Sequence, residues 1–97
     1  MILPTESASG PSFSLGLVVS TPGVLDLVSQ PEIFAALRRH QCGDWGDVCR
    51  EDWQANDEAL KTGGRLLSSY KSRLGEKFWI ITEADRSSTM ALLPSEY

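Results

Sequence analysis

His40, Cys42, Asp44, Asp47 and Cys49 fall within one short string, HQCGDWGDVC. These side-chain types ligate transition metals, supply thiol nucleophiles and move protons. As metal ligands they give His40-x-Cys42-x6-Cys49, with Asp44 or Asp47 as a fourth donor. Structural zinc uses tighter pairs of the Cys-x2-Cys kind, so one loose triplet points away from a metal centre. As a thiol–imidazole pair, His40 and Cys42 diverge by about 200° around a helix. Cys49 would need the loop to fold back, and no oxyanion-hole motif accompanies it. The spacing predicts no catalytic set, no metal site and no cofactor.

His40 follows Leu37 by three residues, on one helical face. It either closes the end of its helix at the core edge or contacts a ligand. Trp45 sits between Gly43-Asp44 and Gly46-Asp47. Glycines permit positive φ, aspartates make turns and caps, and a tryptophan anchors a loop. The same tryptophan between carboxylates would also suit a hot spot for a protein partner.

Asp44, Asp47, Glu51, Asp52, Asp57 and Glu58 are six of the chain's 13 acids, opposed over that span only by Arg50. They read as a solvated helix face or as a negative patch that docks a basic surface. A further charged group, Asp85-Arg86, lies in the turn TEADRS. A pocket around His40, Asp44, Asp47 and Arg86 would make a small-molecule-binding or hydrolytic domain, the rival to an interaction surface.

Those residues must be positioned by the rest of the chain. Residues 1–12 are rich in Ser, Pro and Gly and read as a flexible arm; 13–97 read as a single domain. FSLGLVVS (13–20) is a strand. Thr21 caps a short helix with Pro22 at its first position. Ser29 and Glu32 have capping-box spacing ahead of a second helix that runs to the 40s loop. Asp47 is expected to cap a third helix over roughly 48–62, stopped by Gly63-Gly64. Arg65–Lys71, Lys77–Glu83 and Ser88–Pro94 read as three strands with short turns. The expected fold is α+β: an antiparallel sheet of three or four strands, a C-terminal meander plus the N-terminal strand, with two to three helices packed on one face.

Composition narrows the function classes. The net charge of −4 disfavours direct nucleic-acid binding. No secretory leader and no membrane-length apolar run is legible, so a cytoplasmic location with reduced cysteines is expected.

Four strings carry a resemblance: STPGVLDL (20–27), RRHQCGDWGDV (38–48), GGRLLSSY (63–70) and WIITEADRSSTMALLPSEY (79–97). From about Leu15 to Tyr97 the chain resembles a family of short bacterial proteins of plasmids and other mobile elements. They are labelled plasmid-related protein or type I restriction endonuclease subunit M. The shared loop string is His, two variable positions, then Gly-Asp-Trp-Gly-Asp. His40, Gly43, Asp44, Trp45, Gly46 and Asp47 match it; Cys42 and Cys49 fall outside it. The subunit label does not fit, because a DNA methyltransferase needs a doubly wound nucleotide-binding sheet and a base-flipping motif. The resemblance implies an association with mobile elements and defence systems. The expected function is a non-enzymatic interaction module, an anti-restriction or anti-CRISPR inhibitor. Its partner would be a host defence nuclease or CRISPR effector subunit, met through Asp44, Trp45, Asp47, Asp52, Asp57, Glu58, Asp85 and Arg86. A homodimer is compatible with the sequence.

Overall fold

Thr21 and Ser29 punctuate the first half of the chain as their side chains dictate. In the computed structural model, which describes residues 12–97, strand β1 (Leu17–Ser20) ends at Thr21. Thr21 accepts the Val24 N–H and starts α1 (Pro22–Leu27), with Pro22 where no amide is needed. Ser29 starts α2 (Gln30–Gln41): its hydroxyl accepts the Glu32 N–H and donates to the Glu32 carboxylate. The other Glu32 oxygen accepts the Arg73 N–H at 2.6 Å, which ties α2 to a distant turn. The expected arm, residues 1–12, lies outside the described residues except for Ser12.

The third helix, α3 (Arg50–Thr62), begins later than Asp47 would have placed it. Cys49 occupies the cap position and its side chain makes no capping bond. The Asp47 N–H donates at 2.7 Å to the Ser69 carbonyl, and the chain runs on past Asp47 before it turns helical. At its far end α3 stops as glycine chemistry requires, with Gly63 at φ +88° and its N–H on the Ala59 carbonyl.

Three strands follow: β2 (Leu66–Lys71), β3 (Lys77–Thr82) and β4 (Ser88–Leu92). They form the expected antiparallel meander. The sheet order is β1-β4-β3-β2, and β1 runs parallel to β4. The sheet is thus mixed rather than purely antiparallel. The helices between β1 and β2 carry the chain back across one face, as a crossover connection does, so β2 starts parallel to β1. Two hairpin reversals later, β4 again points the same way.

Register places Leu66, Ser68, Tyr70, Phe78, Ile80, Thr82, Thr89 and Ala91 on the helix-covered face. Val24, Val28, Ile33, Ala36 and Leu37 pack against Tyr70, Phe78, Ile80 and Ala91 in the larger core. Trp45, Ala59 and Leu66 centre a smaller one beneath α3. The opposite face carries Leu17, Val19, Leu67, Trp79, Ile81, Met90 and Leu92. A 3-10 turn (Pro94–Glu96) leads Tyr97 over part of that face, edge-on to Trp79. No helix among the described residues is long and apolar enough to cross a membrane.

Candidate functional site

His40 is fully buried, at the junction of both cores. Its Nδ1 meets the Ser68 hydroxyl and its Nε2 lies 2.9 Å from Thr82 Oγ1. Thr82 Oγ1 is 2.7 Å from Thr89 Oγ1, which donates to the Leu15 carbonyl at 2.7 Å. The direction of every proton in this chain follows from its last member. A carbonyl only accepts, so Thr89 donates to it and must accept from Thr82. Thr82 has then used its only proton, so the imidazole donates to it from Nε2. Nδ1 is left as the acceptor of the Ser68 O–H. One neutral tautomer satisfies all four side chains.

The surroundings hold that neutral form. Burial, and after it the nearby Arg86 guanidinium, lower the imidazole pKa from 6.5 to about 3. Phe13 and Trp45 each stand edge-on to the ring, 5.4 Å between centroids. An imidazole so enclosed acts as a strut between α2 and three strands. It is not presented to a substrate.

Trp45 is likewise fully buried, and its indole N–H donates to Asp57 Oδ1 at 3.0 Å. The flanking backbone lies along the outer edge of β2. Ser69 donates to the Trp45 carbonyl at 3.1 Å while Ser69's own carbonyl accepts from Asp47, a one-residue parallel bridge. Gly46 lies in this bridge at φ +75°, and a Cβ there would overlap the Ser69 carbonyl oxygen. Only glycine fits so close an approach at that φ. The outward groups of Leu67 in β2 are met by Asn56 of α3. Its amide donates to the Leu67 carbonyl at 2.8 Å and accepts the Leu67 N–H at 3.2 Å. The GDWGD loop and Asn56 therefore close one sheet edge.

Asp44 pairs with Arg39 through two nitrogens, at 2.8 and 3.3 Å, and also accepts the Gly46 N–H. The Arg39 bond, with help from Gly46, holds its carboxyl below the usual range. The Asp44 carbonyl accepts the Tyr70 O–H at 2.6 Å, and Arg39 stacks over the Tyr70 ring. Burial of Tyr70 pushes its hydroxyl pKa up.

Arg86 reaches inward instead of forming a charged tip. Its guanidinium donates to the carbonyls of Gly64 (2.6 Å) and Ala59 (3.1 Å), at the C-terminus of α3. It also holds Glu83 and Ala84 of its own turn. These bonds stabilise a non-glycine residue at φ +62°. They place a cation at the negative, C-terminal end of the α3 dipole. Asp85 accepts the Ser87 N–H and shapes the same turn.

The four residues of the pocket reading thus lie in different settings: His40 inside the core, Asp44 on Arg39, Asp47 exposed on the β2 edge, Arg86 beneath α3. Two concavities lie elsewhere. One, of about 220 Å³, is on the helix-free face, with Ile81, Met90 and Leu92 lining it beside Arg65, Glu83 and Tyr97. The other, of about 160 Å³, runs between α2 and the strands by Arg39, Tyr70 and Lys71. Cys42 and Cys49 are exposed and not joined in a disulfide. Among the described residues, no group of three His, Cys, Asp or Glu side chains gathers to hold a metal ion.

Of the acidic run, Asp57 and Asp44 are engaged as above. Asp47, Glu51, Asp52 and Glu58 are exposed, and they present their carboxylates along the outside of α3 and its approach. Sequence reasoning missed the partners that matter most: Phe13, Asn56, Ser68, Thr82 and Thr89. Asn56 did carry a signal, since it shares an otherwise apolar stripe with Trp53 and Leu60. Comparison with protein-family models, with curated proteins and with solved structures returns no match to this chain.

Proposed function

We propose that this chain is a small cytoplasmic protein-interaction module of a mobile genetic element, an anti-defence inhibitor that binds a restriction or CRISPR effector subunit through an acidic surface. The observation that carries the reading is a division of labour among the polar residues. His40, Trp45, Asp57 and Arg86 are spent on internal hydrogen bonds. The carboxylates of Asp47, Glu51, Asp52 and Glu58 face solvent on an element whose position is fixed from beneath. A rigid row of like charges gives a docking protein its orientation and on-rate. Defence nucleases present basic channels for nucleic acid, which is the complement of such a row. The resemblance to mobile-element proteins supports the same reading.

The structure changes which residues the test must spare. Asp57 holds Trp45, and acids in the first turn of α3 favour the helix dipole. The informative variant is therefore Asp47→Lys, Asp52→Asn and Glu58→Lys together. Phage plating is measured on hosts carrying single restriction or CRISPR systems, with and without the protein. The wild-type chain restores plating on at least one host. The triple variant, with an unchanged thermal melt, loses that effect by tenfold or more. Plating that stays blocked on every host, or is restored equally by the variant, refutes the proposal.

A further inference from the structure

The concavity on the helix-free face holds a cation and an anion that the fold leaves partly unspent. Its volume is about 220 Å³ and its floor is apolar. Ile81 of β3 stands opposite Met90 of β4, and Leu92 follows two residues on, so all three side chains share one face. Ile81 and Leu92 are buried, whereas Met90 stays 40% exposed, an adaptable side chain at the open margin. Tyr97 makes one wall, brought there by the 3-10 turn. An apolar cavity of about 150 Å³ takes up a benzene ring, so this one has room for a single aliphatic or aromatic side chain.

Three charged side chains border it: Glu96, Arg65 and Glu83. Glu96 is consumed by the fold. Its carboxylate accepts the Thr21 hydroxyl, the Gly23 N–H at 3.0 Å and the Leu93 N–H at 2.9 Å. Arg65 lies over the Tyr97 ring, 5.6 Å from its centroid, and Nη1 donates to the Tyr97 hydroxyl at 3.0 Å. That pins the guanidinium in place yet uses only one of its five N–H groups. Its Nη2 stands 3.9 Å from a Glu83 carboxylate oxygen, near enough to attract and too far for a hydrogen bond. Both side chains are about half exposed, and Arg65 is the only partner of the Glu83 carboxylate among the described residues.

We infer that this concavity binds a free apolar α-amino acid of about the size of leucine, methionine or phenylalanine. The α-carboxylate lies on the Arg65 guanidinium through paired N–H bonds. The α-ammonium lies on the Glu83 carboxylate, and the side chain rests on Ile81, Met90 and Leu92.

Charge selects this class of ligand. The two charges of an α-amino acid are one carbon apart, which suits a cation and an anion held this close. An apolar acid without the ammonium leaves its carboxylate facing Glu83, and an apolar amine without the carboxylate leaves its ammonium facing Arg65. A residue at the end of a peptide carries only one of the two charges. The floor selects the side chain, because a charged one would lie unpaired on Ile81 and Leu92. The site shares no residue with the acidic face of α3.

A ligand of so few atoms in an open site binds with a dissociation constant of about 0.1–5 mM. Titration of the nitrogen-15-labelled chain with L-leucine, to about 20 mM and followed by amide NMR shifts, tests the inference. Saturable shifts are expected at Arg65, Ile81, Glu83 and Met90. N-acetyl-leucine, which lacks the ammonium, and leucinamide, which lacks the carboxylate, bind at least tenfold more weakly. Glu83→Gln, with an unchanged thermal melt, weakens leucine at least fivefold and narrows its advantage over N-acetyl-leucine. Glu58→Gln, on the acidic face of α3, leaves leucine binding as it was. No saturable shift with leucine overturns the inference. Equal binding of all three ligands also overturns it, since the apolar floor alone would then be at work, as does leucine binding undiminished by Glu83→Gln.

Discussion

Lowering the pH from 7 to 5 should weaken this fold through one residue. His40 is the chain's only histidine, and its pKa falls from 6.5 to about 3 on folding. Below pH 6.5 the unfolded chain takes up a proton that the native chain refuses. Stability conferred by the neutral imidazole is therefore complete above pH 6.5 and is lost as the pH falls toward 3. The slope approaches about 1.4 kcal/mol per pH unit. Between pH 7 and 5 the integrated loss is about 2 kcal/mol, a large part of the ~5–15 kcal/mol typical of a domain. The carboxyls of Glu32, Asp44, Asp85 and Glu96 are also lowered, from ordinary values of 4.5 or 3.8. Their contribution has the same direction but is lost mainly below pH 5, so the upper window belongs to His40. Urea unfolding at pH 7, 6 and 5 measures the slope. His40→Gln loses stability at pH 7, because the Ser68 and Thr82 bonds are broken, but should be nearly flat across the window. The two proteins should converge as the pH drops. A wild-type slope equal to that of His40→Gln, or a wild type equally stable at pH 5 and 7, would refute the reasoning.

Gly46→Ala should cost about 2–4 kcal/mol, combining a left-handed φ with overlap on the Ser69 carbonyl. Gly63→Ala, at φ +88° but with open space around it, should cost about 1 kcal/mol; equal losses by urea titration would contradict the edge-closure account. Asn56→Ala strips both hydrogen bonds from Leu67 and should cost about 1–3 kcal/mol. Hydrogen exchange should localise that loss to β2; a uniform change across the sheet would count against it.

The elements were readable where local chemistry decides them. Thr21-Pro22, Ser29/Glu32 and Gly63 mark helix ends by side-chain bonding or φ, and the structure follows them. The meander followed from alternating apolar residues and short turns. The parallel β1–β4 pair was not readable that way, because it depends on a crossover that no local pattern encodes. Asp47 had the composition of a helix cap, but α3 begins at Arg50 with Cys49 in the cap position. The candidate site divides along the same line. Residue type singled out His40, Trp45 and Arg86, but their roles depend on where Ser68, Thr82, Asp57 and the end of α3 arrive in space. The threonines were hidden because Thr82 continues the inward phase of Phe78 and Ile80 while looking like an ordinary strand residue.

The most direct measurement is a nitrogen-15 NMR spectrum of the histidine ring, recorded from pH 7.5 to 4.5. With one histidine in the chain, assignment is immediate. The account predicts a neutral ring throughout, protonated on Nε2 alone, with Nδ1 at the chemical shift of a hydrogen-bond acceptor. A ring that titrates near 6.5, or carries its proton on Nδ1, would contradict the buried strut between α2 and the sheet.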